Sequence, residues 1–140
     1  MSDLLLEEAY RFLDWAREHG ARLDGTDNSV WFVQGVVESM SVDAEEESSL
    51  RAVKCLAYSV YLAELLAATC SGVRCVVDGV GMHLREVFAV RDGAPIQLTL
   101  SWIQGGLVDP AANNIVFKFA GALRDFGEPQ RAQALLEQLL

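Results

Sequence analysis

Apolar residues return at helical spacing through the first forty positions of this chain. Leu5, Ala9, Phe12 and Ala16 share one face of a helix expected over residues 3 to 19. Ser2 stands where an N-cap belongs, Asp3, Glu7 and Glu8 suit the positive end of the helix dipole, and Gly20 is the stop. After the turn-forming run Arg22-Leu23-Asp24-Gly25-Thr26-Asp27, a second helix is expected from about residue 28 to 40, with Val30, Val33, Val37 and Met40 on one face. Trp31, Phe32 and Val36 widen that face beyond one contact, so this helix should be gripped from two sides.

Asp43 followed by Glu46 resembles a capping box and is read as opening a long helix from about residue 44 to 70. From Cys55 to Val73 its only charged side chain is Glu64. At about 40 Å such a helix must be central. A membrane span is disfavoured, because a mid-bilayer carboxylate is costly, no Lys/Arg cluster flanks the segment, and the amphipathic neighbours need a protein core.

Beyond Gly72 the period changes to two. Residues 73 to 77, 84 to 90 and 96 to 102 read as strands of an antiparallel meander, separated by Asp78-Gly79 and Arg91-Asp92-Gly93-Ala94. Ile96, Leu98, Leu100 and Trp102 alternate with Gln97, Thr99 and Ser101, which predicts an apolar face toward the helices and a polar face outward. Asp109-Pro110 is then placed at the start of a helix bearing Val116, Phe119, Ala120 and Leu123, ended by Gly127. Pro129 starts a last helix with Ala132, Leu135, Leu136 and Leu139 on one side. The expectation is one α+β domain over residues 1 to 140: three helices with a long central one, three strands, two helices.

Composition agrees with a packed chain, since 51% of its residues are hydrophobic and only three are proline. The formal charge of −9 is distributed unevenly. Residues 1 to 50 hold twelve Asp/Glu against three Arg, and the remainder holds eight acids against eight bases. An acidic N-terminal part opposes nucleic acid and anionic lipid and attracts a basic protein surface. Candidate contact residues are Asp27, Glu38, Asp43, Glu45, Glu46 and Glu47, although acids at a helix start also serve as caps.

Cys55, Cys70 and Cys75 make an odd number with no signal peptide ahead of them, which points to a reducing cytoplasm and buried thiols. Cys70, Cys75 and His83 lack metal-ligand spacing and a fourth ligand, so no metal is expected. Gly79-Val80-Gly81 lacks the third glycine of a dinucleotide loop and links two strands, and Asp109 puts negative charge where a phosphate would sit after Gly105-Gly106. No cofactor is implied. Glu64 is the sharpest single residue, because a carboxylate between apolar turns must find a donor, shift its pKa or emerge at a groove. Arg74, Arg85 and Lys118 are its candidate ion-pair partners.

Leu23, Asp24 and Ser29 before the second helix, then Ala57, Tyr58 and Glu64 on the long one, followed by a meander, resemble small uncharacterised bacterial α+β domains over residues 20 to 126. In size and charge the chain is also similar to acidic immunity proteins that neutralise bacterial toxins. The expectation is a non-catalytic cytoplasmic protein that engages a basic toxin or effector, as an immunity protein or chaperone, through its acidic N-terminal face. The alternative is a ligand-binding or enzymatic domain with a pocket between the long helix and the sheet, near Glu64, Tyr61 and Trp102. A third reading is a homodimer formed through the exposed edge of the sheet.

Overall fold

A computed structural model describes residues 4–79 and 86–138. The fold is α+β, with the elements in the order α1 (Leu4–Glu18), α2 (Ser29–Val42), α3 (Ser48–Thr69), β1 (Arg74–Asp78), β2 (Glu86–Val90), β3 (Gln97–Leu98), α4 (Thr99–Val108), α5 (Ile115–Asp125) and α6 (Pro129–Glu137). Ser2 and Asp3, the turn residues Val80, Gly81 and His83, the start of the second strand at Leu84, Arg85, and Leu139 lie outside the described residues.

Helix α3 is central. Leu56 to Ala63 are buried without interruption, followed by Leu65 and Leu66, so the helix has apolar neighbours on all sides. Those neighbours are α1, α4, β1 and β2, while α2 packs on α4 and α5, and α6 packs on α5. Among the described residues α3 is the one helix long and apolar enough to cross a membrane by length and composition, and more than half of it is buried inside the protein.

The start of α3 corrects the expected boundary by four residues. Asp43 accepts the N–H of Glu45 in a tight turn after α2, and the cap of α3 is Glu47, which accepts from the N–H of Ser49 at 3.2 Å. Glu46 does not reach back as a capping-box residue does. It reaches forward to Lys54 at 2.5 Å and Arg51 at 3.4 Å. The helix is therefore about 33 Å long.

The three strands form one antiparallel sheet in the order β1-β2-β3. Arg74 pairs with Val90 and Val76 with Phe88 on one side, and Phe88 pairs with Leu98 on the other. The third strand is far shorter than the alternation from Ile96 to Trp102 suggests, and its phase is inverted. Gln97 and Thr99 point inward, while Ile96 and Leu98 are exposed. Buried polar partners explain the inversion, since Gln97 donates to Asp125 at 2.8 Å and the Thr99 hydroxyl donates to the Ser59 carbonyl at 2.9 Å.

At Thr99 the chain turns into α4, an additional helix between the sheet and the two C-terminal ones. Leu100, Ile103 and Gly106 are its buried positions, at helical spacing. Glu86 receives both the hydroxyl and the backbone N–H of Ser101, which satisfies a donor in the first turn of α4.

Asp109 caps only a turn, accepting from Ala111 and Ala112, and α5 begins later behind Asn114, which accepts from Phe117 at 3.1 Å. Gln34 of α2 takes the N–H of Ile115 at 2.7 Å and so ties α2 to the start of α5.

Helices α2 and α4 approach each other through Gly106, where an added Cβ would stand 2.8 Å from Val37 Cγ1. Gly106→Ala should therefore destabilise the protein by about 1–3 kcal/mol through overpacking, despite the better helix propensity of alanine. Urea unfolding of the variant against the parent measures this.

Candidate functional site

A groove of about 920 Å³ lies between α1 and α2, with α3 as its floor. From α1 and the turn that ends it the groove takes Phe12, Trp15 and His19, which recur at spacings of three and four. From α2 it takes Phe32, Val36 and Met40 on the same principle. Leu50, Lys54 and Tyr58 of α3 form the base. The apolar members are aromatic-rich and partly open to water, with Trp15 54% and Leu50 42% exposed.

Ring contacts order one wall. Phe12 meets Tyr58 edge-on at 5.7 Å between centroids, and Trp15 stacks on His19 at 4.4 Å. His19 Nδ1–H donates to the Trp15 carbonyl at 2.7 Å, which satisfies an acceptor at the end of α1.

The groove stays open because the α1–α2 loop is clamped. The Tyr61 hydroxyl contacts Ser29 Oγ at 2.6 Å and accepts from the Gly25 N–H at 3.0 Å. Arg17 holds the Leu23 carbonyl at 2.9 Å, and Leu23 itself is buried. Asp27 receives two bonds from Arg131 of α6, at 2.9 and 2.7 Å, and Arg131 also reaches the Thr69 carbonyl at 3.0 Å. The bidentate pair raises the pKa of the guanidinium further above its ordinary value. Three elements thus fix where α2 begins.

Gly35 lines the groove in the middle of α2, and an added Cβ there would meet nothing within 4 Å. Packing does not require a glycine at this position. Its effect is to leave the groove wall without a side chain.

One end of the groove is polar. The Glu46 side chain is 5% exposed and lies between Lys54 and Arg51, and Arg51 also donates to the Met40 carbonyl at 3.0 Å. Asp43 lies exposed at the margin.

The expected contact acids are placed unequally. Asp43 and Glu46 line the groove, and Glu45 and Glu47 are exposed on the same loop. Glu38 faces away from it, accepting from Gln34 at 2.9 Å, and Asp27 is held by Arg131. The structure therefore does not gather all six acids into one face.

Glu64, Tyr61 and Trp102, the residues expected around a pocket between the long helix and the sheet, line neither the groove nor a smaller hollow of about 380 Å³ beside Cys55 and Leu100. Tyr61 and Trp102 are core residues. Glu64 is exposed and accepts the Tyr10 hydroxyl at 2.5 Å, and among the described residues neither Arg74 nor Lys118 forms an ion pair with it, while Arg85 lies outside them. The nearby Cys75 thiol is pushed up to about 11, by burial first and by the Glu64 charge second, which makes it a poor nucleophile. All three cysteines are free. Among the described residues no group of three His, Cys, Asp or Glu could hold a metal ion.

The groove was signalled by the residues in excess of a single helix face. Phe32 and Val36 are the second grip expected of α2, yet they face open space. Trp15, which the α1 face did not need, lies opposite them.

Compared with known proteins, the chain matches no family model, no curated protein and no solved structure.

Tyr58 gives a pH signature of the groove floor. Burial, and secondarily the Glu46 charge, push its phenol from 10.0 up to about 12. The unfolded chain ionises Tyr58 near pH 10 and the folded chain only near 12, so its contribution is complete below pH 10 and is lost as pH rises to about 12. Urea midpoints measured across that range should fall, and Tyr58→Phe should flatten the decline.

Proposed function

We propose that this chain is a non-catalytic binding protein whose α1–α2 groove receives an apolar, positively charged segment of a partner protein. The observation that carries the proposal is the groove itself. It has aromatic walls that face each other across open space, and both wall helices belong to the part of the chain that holds the whole −9 charge. Apolar contact in the groove would hold the segment, as in helix-in-groove recognition, and the surrounding acids would speed encounter and exclude acidic partners. In the cytoplasm such a partner would be a basic toxin or effector, with this chain as its immunity protein or chaperone.

The absence of a side chain at Gly35 favours an occupant. A mid-helix glycine lowers stability by about 0.5–1 kcal/mol relative to alanine, and nothing in the packing offsets it. Gly35→Ala should raise stability by that amount and weaken binding, since its methyl enters the groove.

The probe is a synthetic peptide of alternating leucine and arginine clusters that forms a basic amphipathic helix, titrated by intrinsic tryptophan fluorescence. Binding should weaken as salt rises, fall about tenfold or more with Trp15→Ala, and fall with Gly35→Ala. Binding that ignores both substitutions would refute the groove. A neutral hydrophobic dye that binds in the groove where the peptide does not would replace a protein segment by a small apolar ligand.

A further inference from the structure

The outer face of the sheet carries an apolar row whose members Val76 and Leu98 are exposed. Cys75 and Val77 of β1 and Val87 and Ala89 of β2 belong to the core side. By alternation Val76, Phe88, Val90 and Leu98 point the other way. The register lines up Val76, Phe88 and Leu98 across all three strands. Ile96, just before β3, stands where continuing that register by one step would meet Val90. Val76 and Leu98 are each 39% exposed and Ile96 is 60% exposed.

Two charged residues frame this row on β1. Arg74 and Asp78 lie two positions to either side of Val76, on the same face of the strand, and neither forms an ion pair among the described residues. A face with Arg74 at one end, Asp78 and its buried register partner Glu86 at the other, and apolar residues between is complementary to a reversed copy of itself. That is the requirement for a two-fold interface.

We propose that two copies of this chain pair face to face through this row. The two-fold axis lies between the sheets and runs across the strands at the level of Val76. Such an axis reverses the second sheet, stacks the Val76-Phe88-Leu98 row on its own copy, and sets Arg74 over Asp78 of the second copy twice in each dimer. An axis running along β1 would instead oppose Arg74 to itself. Charge distribution favours the same face, because the −9 resides in residues 1 to 50 and the sheet belongs to the balanced remainder. The copies therefore meet on their neutral sides, leaving both grooves outside the contact row. Three short strands offer a modest area, so the dimer should depend on concentration.

Sedimentation equilibrium of the full chain, run over a range of concentrations, tests the proposal. The parent should shift from monomer toward dimer. Ile96→Asp and Leu98→Asp, each at an already exposed position, should leave it monomeric with an unchanged circular dichroism spectrum. Arg74→Asp or Asp78→Arg alone should raise the dimer Kd about tenfold, and the double exchange should return it to within about threefold of the parent. A monomer at every concentration overturns the proposal. A dimer insensitive to Ile96→Asp and Leu98→Asp also overturns it, and pairing along the β1 edge would give that result. A double exchange as weak as the singles overturns the axis.

Discussion

Helix α3 has almost no surface left for water between Leu56 and Leu66, and the rest of the molecule is arranged by that burial. A helix apolar on every side cannot be stable with one neighbour, so α1, α4 and two strands surround it. Two of its buried polar residues have definite uses. The Ser59 hydroxyl donates to the Leu56 carbonyl at 2.8 Å, and the Ser59 carbonyl accepts from Thr99, which fixes where the third strand gives way to α4. The Tyr61 hydroxyl reaches Ser29 and fixes where α2 begins. Ser59 and Tyr61, two positions apart on α3, thus help to set where α4 and α2 begin.

The groove follows from the same constraint. Helix α1 packs directly on α3, whereas α2 is carried mainly on α4 and α5. The two N-terminal helices are consecutive in sequence but rest on different supports, and the clamped loop between them prevents closure. Phe12 and Phe32 cannot bury each other. They remain on opposite walls, above Tyr58 and Leu50.

Element type and order were readable wherever one period dominated. Val30, Val33, Val37 and Met40 marked the core side of α2, Gly127 and Pro129 marked the α5–α6 junction, and Leu56 to Leu66 announced a central helix. Boundaries failed where a distant side chain decides them. Nothing local distinguishes Asp43 from Glu47 as the cap of α3, because the outcome depends on Glu46 finding Lys54 two turns later. Nothing local reveals that Gln97 and Thr99 point inward, because their partners are Asp125 and Ser59. For that reason the alternation from Ile96 to Trp102 predicts the wrong inward face. The groove was half legible: surplus aromatic residues indicated a second contact for α2, but which surface would be left uncovered depends on how helices far apart in sequence pack.

The acidic N-terminal part has a divided role. Asp24, Asp43 and Glu47 accept local N–H groups, and hydrogen bonds to a carboxylate satisfy donors without removing its charge; the caps hold Asp24 and Glu47 below their ordinary pKa and so keep them ionised. Ion pairs act differently. Glu46 and Asp27 are neutralised by Lys54, Arg51 and Arg131, all from later in the chain, and these pairs join α3 and α6 to the loops either side of α2. The field around the groove is thus weaker than the count of early acids implies, yet it remains negative, since Glu7, Glu18 and Glu45 stay exposed on α1 and the α2–α3 loop. A diffuse field of this kind selects and steers. It does not hold a partner in place, and the aromatic walls are the part of this surface with enough apolar area to do so.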